Sequence, residues 1–386
     1  MKTLRAAVLA SPLALALACG GSGSGATGSS SELLAAAPTS ETFAVSVTDT
    51  TPAPAALSTA NLDPVVAFPP IFVGGGDACH PHLFQRTEAV AARLNRHLYK
   101  FLGRIDRLIA DDPTVSTSSQ VVWERVRNGL DERFTLTQVA TGQYTWSLDL
   151  RQGSTGSFTT VFSGEIDRTT ASGPHQGKGD MTLDLTALQS VIPTEPASGV
   201  IQVTFDVEAA QRLEAFDASG VTWDTNGDPD DLPAKAPRDA HYVLDRVPGK
   251  GGSLKAADEM IFLCPANPQG LQASVELVSR WYVLTDGSQH GRSDALMTGG
   301  QLTSTQSFVG LTCHEKPAAG QPVESYWLMK LEDGGTVVSG SAHQGGTGTP
   351  CDPVFGSVPA LDSTAGDFDF TQVNFTDDDP YPFPTP

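Results

Sequence analysis

The sequence predicts a mainly β fold of the α+β type. A long antiparallel meander forms a curved sheet or open barrel, with one long N-terminal amphipathic helix packed on it. Two observations carry this prediction. Between residues 82 and 111 apolar side chains recur every three or four positions, the period of a helix with one buried face. From Ser119 the period drops to two, in about a dozen short runs separated mostly by Gly, Asn, Asp or Pro, as hairpin-linked strands require. So many strands in succession must curl or close to hide their edges.

The helix stripe consists of Leu83, Val90, Leu94, Leu98, Phe101, Ile105 and Leu108, widened by Leu102 and Ile109. Arg86, Arg93, Arg96, Lys100, Arg104 and Arg107 fall on the far side. Pro81 suits a helix start, where its missing N–H costs nothing, and Pro113 stops the helix. The expectation is a core-facing helix with a solvated charged face. The competing reading is a helix lying on a membrane surface.

The alternating runs are 121–127, 133–139, 144–150, 157–166, 179–185, 200–207 and 212–216. After a long irregular loop they resume at 241–247, 259–263, 273–285, 293–298, 303–313 and 323–331. A last strand is expected around Phe368, Phe370, Val373 and Phe375, before a disordered acidic and Pro-rich tail over 376–386.

The N-terminus reads as an export signal. Lys2 and Arg5 precede an apolar run that ends at Ala18, and Cys19 follows, leading into Gly20-Gly21-Ser22-Gly23. A charged start, a short apolar core and a small residue before the cleavage point make a signal peptide over 1–18. The run is too short to span a bilayer, which takes about 20 residues. Residues 19–78 are rich in Gly, Ser, Ala, Thr and Pro and read as a flexible tether. Residues 79–375 then form one helix-plus-meander domain.

A net charge of −20 excludes binding to nucleic acid, or adsorption to an anionic membrane, as the main activity, since both need positive surface. With Cys19 set aside, Cys79, Cys264, Cys313 and Cys351 are an even set, for which an oxidising compartment favours disulfides. Three connectivities are open. The favoured one is Cys313 with Cys351 and Cys79 with Cys264. The first bridge closes a loop of roughly 40 residues, which chain entropy values at about 3.5–4 kcal/mol.

Asp224, Asn226, Asp228 and Asp230 place oxygen ligands at alternate positions, as a weak calcium site requires. Pro229 stands where a turn glycine belongs and Lys235 where a closing Glu belongs, so a polar surface loop competes with that reading. No other cofactor is expected. Cys79-His80-Pro81-His82 with Cys313-His314 is dense in metal ligands on one side only, and disulfides are favoured there. Nucleophile elbows and zinc-hydrolase helices have no match.

The N-terminal run ending at Cys19 resembles a bacterial lipoprotein signal, which implies lipidation of the Cys19 thiol. Gly20 after the cysteine implies the outer membrane. With the tether, helix and meander, the plan resembles the periplasmic lipid-carrier lipoproteins with curved half-barrels. The stretch Ser279-Arg280-Trp281, Gly291-Arg292-Ser293-Asp294-Ala295, Gly299-Gly300 and Cys313 is similar to a strand pair of uncharacterised bacterial outer-membrane lipoproteins. These resemblances imply an exported, lipid-anchored cell-envelope protein of non-enzymatic type with a structural or interaction role. Its partners would be the membrane through Cys19 and an envelope protein, peptidoglycan or a lipid. In the alternative carrier reading, Trp146, Leu148, Phe162, Phe205, Trp281, Val283 and Trp327 line an apolar cavity beside the helix. An unrecognised hydrolase with a scattered site is the third reading.

Overall fold

The structure, a computed structural model, describes residues 29–47, 83–153, 155–208, 211–222, 237–264, 267–318 and 323–344. It is mainly β. Among the described residues fifteen strands follow one another in one open antiparallel sheet whose spatial order equals the sequence order. The first half comprises β1 (Val115–Ser116), β2 (Gln120–Arg127), β3 (Leu130–Ala140), β4 (Gln143–Gln152), β5 (Thr159–Asp167), β6 (Gly177–Asp184), β7 (Ser198–Val207) and β8 (Arg212–Thr222). The second comprises β9 (Arg238–Val247), β10 (Gly251–Cys264), β11 (Asn267–Val283), β12 (Gln289–Thr298), β13 (Gln306–Lys316), β14 (Val323–Asp333) and β15 (Thr336–Gln344).

Among the described residues three helices accompany the sheet: α1 (Ser29–Leu34), α2 (Leu83–Ile109) and α3 (Leu185–Val191). The long amphipathic helix is therefore α2. It is not the N-terminal element, because α1 and the segment after it precede it.

The path of α2 sets the shape of the sheet. Near its start Phe84 stacks on His314 of β13, with ring centroids 3.6 Å apart. Thr87 then hydrogen-bonds Ser279 of β11, and Arg93 pairs with Asp258 of β10 at 3.0 Å. Phe101 stacks on Phe162 of β5 at 5.8 Å, and Arg104 reaches Glu132 of β3 at 2.6 Å. Finally Arg125 of β2 donates to the Arg107 carbonyl. The helix thus crosses the strands in reverse order. From Phe84 to Arg107 it advances about 35 Å, whereas β2 and β13 would lie about 50 Å apart in a flat sheet. The sheet must therefore curve along the helix.

The face towards α2 holds one continuous core, with Phe101, Leu102, Ile105, Phe134, Leu148 and Leu254 all fully buried. Each such side chain contributes about 1.5–3 kcal/mol of transfer free energy. Strands β9–β14 are also buried on the opposite face. There Val309, Leu311, Cys313, Tyr326 and Leu328 form a second cluster. Lys330 is fully enclosed with Glu332 at 3.6 Å, and Arg292 pairs with Asp294 at 2.8 Å. Burial on both faces explains why the second half of the sequence alternates less cleanly than the first.

Two expectations are corrected. Residues 29–47, assigned to the tether, fold onto the domain. Leu33, Ala36, Ala37, Phe43, Val45 and Val47 belong to the main core. The segment after α1 forms a strap beside α2. Ser40 hydrogen-bonds Asp106, the Val45 backbone exchanges hydrogen bonds with the Asn95 amide, and Gln289 donates to the Val47 carbonyl at 3.2 Å. Second, the charged side of α2 is not wholly solvated. Arg86 and Arg93 are 3% and 5% exposed, because sheet and strap enclose the first half of the helix. Arg93 and Arg238 converge on Asp258, which also accepts from Tyr242. Buried charge is tolerated only when paired in this way.

Candidate binding groove

The second half of α2 leaves the enclosure and forms one wall of an open groove of about 580 Å³, within the usual range of ligand sites. Arg96, Lys100, Arg104 and Arg107 project from this wall. The first three are spaced four residues apart and share one helical stripe, an arrangement that disfavours the helix by about 0.2–0.5 kcal/mol per like-charged pair. Glu195 offsets this by pairing with Lys100, and Glu132 by pairing with Arg104. Arg107 and Arg127 make no salt bridge among the described residues.

Arg127 joins the groove through the β2–β3 hairpin. Its two-residue turn is Asn128-Gly129, with φ of 52° and 77°. Both residues are left-handed, as a type I′ hairpin turn requires, and Asn-Gly is the preferred pair for it. The turn sets Arg127 opposite Leu130 in register and brings both to the groove.

The remaining wall is apolar. Asp184 caps α3 by accepting from the Ala187 N–H at 2.7 Å, the usual means of satisfying a first-turn donor. The helix ends at Val191, and Gln189 donates to the Glu195 carbonyl at 3.0 Å. This fixes the turn that presents Val191, Ile192 and Pro193 to the groove. The Tyr99 ring and Leu130 extend the apolar surface. Among the described residues, five cations with one lining carboxylate, Glu132, therefore face an apolar wall, on a chain whose net charge is −20. A cleft lined by one sign of charge concentrates its field and attracts counter-ions.

The residues expected to line an apolar cavity lie elsewhere. Trp146, Leu148, Phe162, Phe205 and Trp281 are packed in the core beneath α2, each at most 3% exposed. Trp146 and Phe205 stack at 6.5 Å, and Phe43 of the strap meets Phe205 edge-on at 4.8 Å. Trp327 is 8% exposed on β14, and Val283, at the end of β11, is half-buried. None of the seven lines the groove.

Cys313 is disulfide-bonded. Cys264 ends β10, whereas Cys19, Cys79 and Cys351 lie outside the described residues. So do the calcium candidates Asp224, Asn226, Asp228 and Asp230, the cluster Cys79-His80-Pro81-His82, and the strand expected around Phe368–Phe375. Among the described residues no group of three or more His, Cys, Asp or Glu is placed to hold a metal ion. None of the described helices is long and apolar enough to cross a membrane.

Glu214 and His314 are among the strongly perturbed titrating groups outside the groove. Burial pushes Glu214 of β8 up to about 7, although Arg212 and Arg246 pull it down. The residue is fully enclosed, between Phe205 of β7 and Leu244 of β9. His314, stacked on Phe84, is pushed down to about 3, mainly by burial.

Sequence reasoning missed the groove. Its cations come from a helix and a distant hairpin, and only the Asn-Gly turn and the like-charged stripe gave a local signal. Comparison of the chain with protein-family models, curated proteins and solved structures gives no match to any of them.

Proposed function

We propose that this is an exported, lipid-anchored cell-envelope protein of non-enzymatic type with an interaction role, and that the basic groove is its binding surface. One observation carries the reading of the surface. Five of the chain's 24 Lys and Arg residues surround one groove, although acidic residues outnumber basic ones overall. Charge so distributed selects partners and speeds encounter more than it stabilises a fold.

The anchor follows from Lys2, Arg5, the apolar run and Cys19. Helix α1 begins at Ser29, ten positions after Cys19, so a lipid on Cys19 would hold that helix start within about 33–36 Å of the bilayer surface. The α1 helix packs against β2 and β3, the strands whose connecting turn enters the groove. Within α1, Glu32 accepts from Tyr144, which pairs with Gln138, so α1 sits at the strand ends opposite that turn. The apolar carrier reading gains less support, because α2 fills the face that a carrier would leave open.

Photo-crosslinking in the native envelope tests this. A crosslinker at Asn128, in the groove, should capture an envelope component that one at Val338, exposed on β15, does not. Equal capture from both positions, or none from Asn128, would count against the groove.

A further inference from the structure

The groove combines several cations with an apolar wall on one side only, which narrows the chemistry of its ligand. We infer that it binds a phosphate ester joined to an apolar group, with an anionic lipid headgroup as the favoured source. The inference rests on the groove being the binding surface.

Guanidinium groups present planar forks that match phosphate oxygens two at a time, and three of the residues involved are Arg96, Arg107 and Arg127. Carboxylates already engage Lys100 and Arg104, so these two supply positive field and a fixed wall. Arg107 and Arg127, without salt bridges among the described residues, would make the direct contacts. Their supports differ: Arg107 stands on a helix and Arg127 at the end of β2, next to the two-residue turn, so they can close on an anion from two sides. Opposite them, Ile192 and Pro193 offer a surface that repays contact with hydrocarbon but not with a free inorganic ion. A net charge of −20 opposes adsorption of the whole body to an anionic bilayer. It does not oppose one headgroup entering a walled basic groove, because fields from distant charges are screened within about 8–10 Å.

The test uses the full chain with Cys19→Ser, so that no attached lipid competes, and calorimetric titration with three soluble probes. These are dihexanoyl phosphatidic acid, glycerol phosphate and dihexanoyl phosphatidylcholine. The expected result is one-to-one binding of dihexanoyl phosphatidic acid, weaker binding of glycerol phosphate, and little binding of the zwitterionic lipid. Arg107→Glu with Arg127→Glu should weaken the first by about tenfold or more, the scale of one lost charge-assisted contact. Both side chains are partly or fully exposed, and unchanged thermal melting would show that the variant folds. The control, Lys178→Glu with Lys250→Glu, makes the same charge change at exposed sites outside the groove and should leave binding intact. Equal loss in the control would overturn the site. Glycerol phosphate binding as tightly as the lipid would overturn the lipid source, and phosphatidylcholine doing so would overturn the anion. If no probe binds while crosslinking from Asn128 still captures a partner, the ligand class falls and the interaction surface stands.

Discussion

Replacing Glu214 by Gln should make the protein more stable above neutral pH and leave it nearly unchanged in acid. Glu214 is wholly enclosed between Phe205 and Leu244, and neither carboxylate oxygen has a hydrogen-bond partner among the described residues. Its acid is held at about 7 in the folded protein against an ordinary value of 4.5. The folded state therefore keeps this proton where the unfolded state has released it. The stabilising contribution is complete below about pH 4.5 and is lost as pH rises through about 7. A difference of about 2.5 pH units corresponds to roughly 3 kcal/mol. Glutamine has the same shape and does not titrate. Urea unfolding of both proteins, followed by tryptophan fluorescence without reductant, gives the comparison at pH 4.5 and pH 8. The variant's advantage should grow by about 3 kcal/mol between the two conditions. Groups that titrate in both proteins cancel from that difference. Parallel pH profiles would refute the reasoning and show that Arg212 or Arg246 neutralises the carboxylate.

His314 should behave in the opposite sense. Its depressed value of about 3 means that stability is retained above about pH 6.5 and falls on acidification, by about 3 kcal/mol at pH 4.5; NMR should find its ring neutral at pH 5. Asp258→Asn should cost about 3–5 kcal/mol in urea unfolding, because Arg93 and Arg238 would lose their shared buried counter-charge. Gly291→Ala should destabilise by about 1–3 kcal/mol, since a Cβ there would overlap the His314 ring; a melting temperature equal to wild type would contradict this. Reduction of the bridge at Cys313 should lower stability by about 2–4 kcal/mol, measured as a shift in the urea midpoint.

Much of the scaffold was legible because it is periodic. The stripe from Leu83 to Leu108 marks α2 closely, and the runs around Trp123, Trp146 and Phe205 coincide with β2, β4 and β7. What was missed lacks a period or depends on distant partners. The strap is short and rich in alanine, serine and threonine, a composition shared with linkers, and its burial depends on sites as remote as Asn95 and Gln289. The seven-residue helix α3 is too short for a periodicity signal, although Asp184 marks its start. Arg93 looks like a surface residue until Asp258, 165 positions away, arrives beside it. Thr336–Gln344 is interrupted by Ser339, Gly340 and Ser341, which hid β15. The groove was the least legible part, because Arg127 meets the α2 cations only after the first hairpin folds back.

The mass of the mature N-terminal peptide, isolated from the envelope fraction of cells expressing the full chain, tests the anchoring claim most directly. The peptide should begin at Cys19 and carry a thioether-linked diacylglyceryl group, and Cys19→Ser should release the protein from the membrane. A mature chain with an unmodified Cys19 thiol, or one that still retains residues 1–18, would contradict that claim.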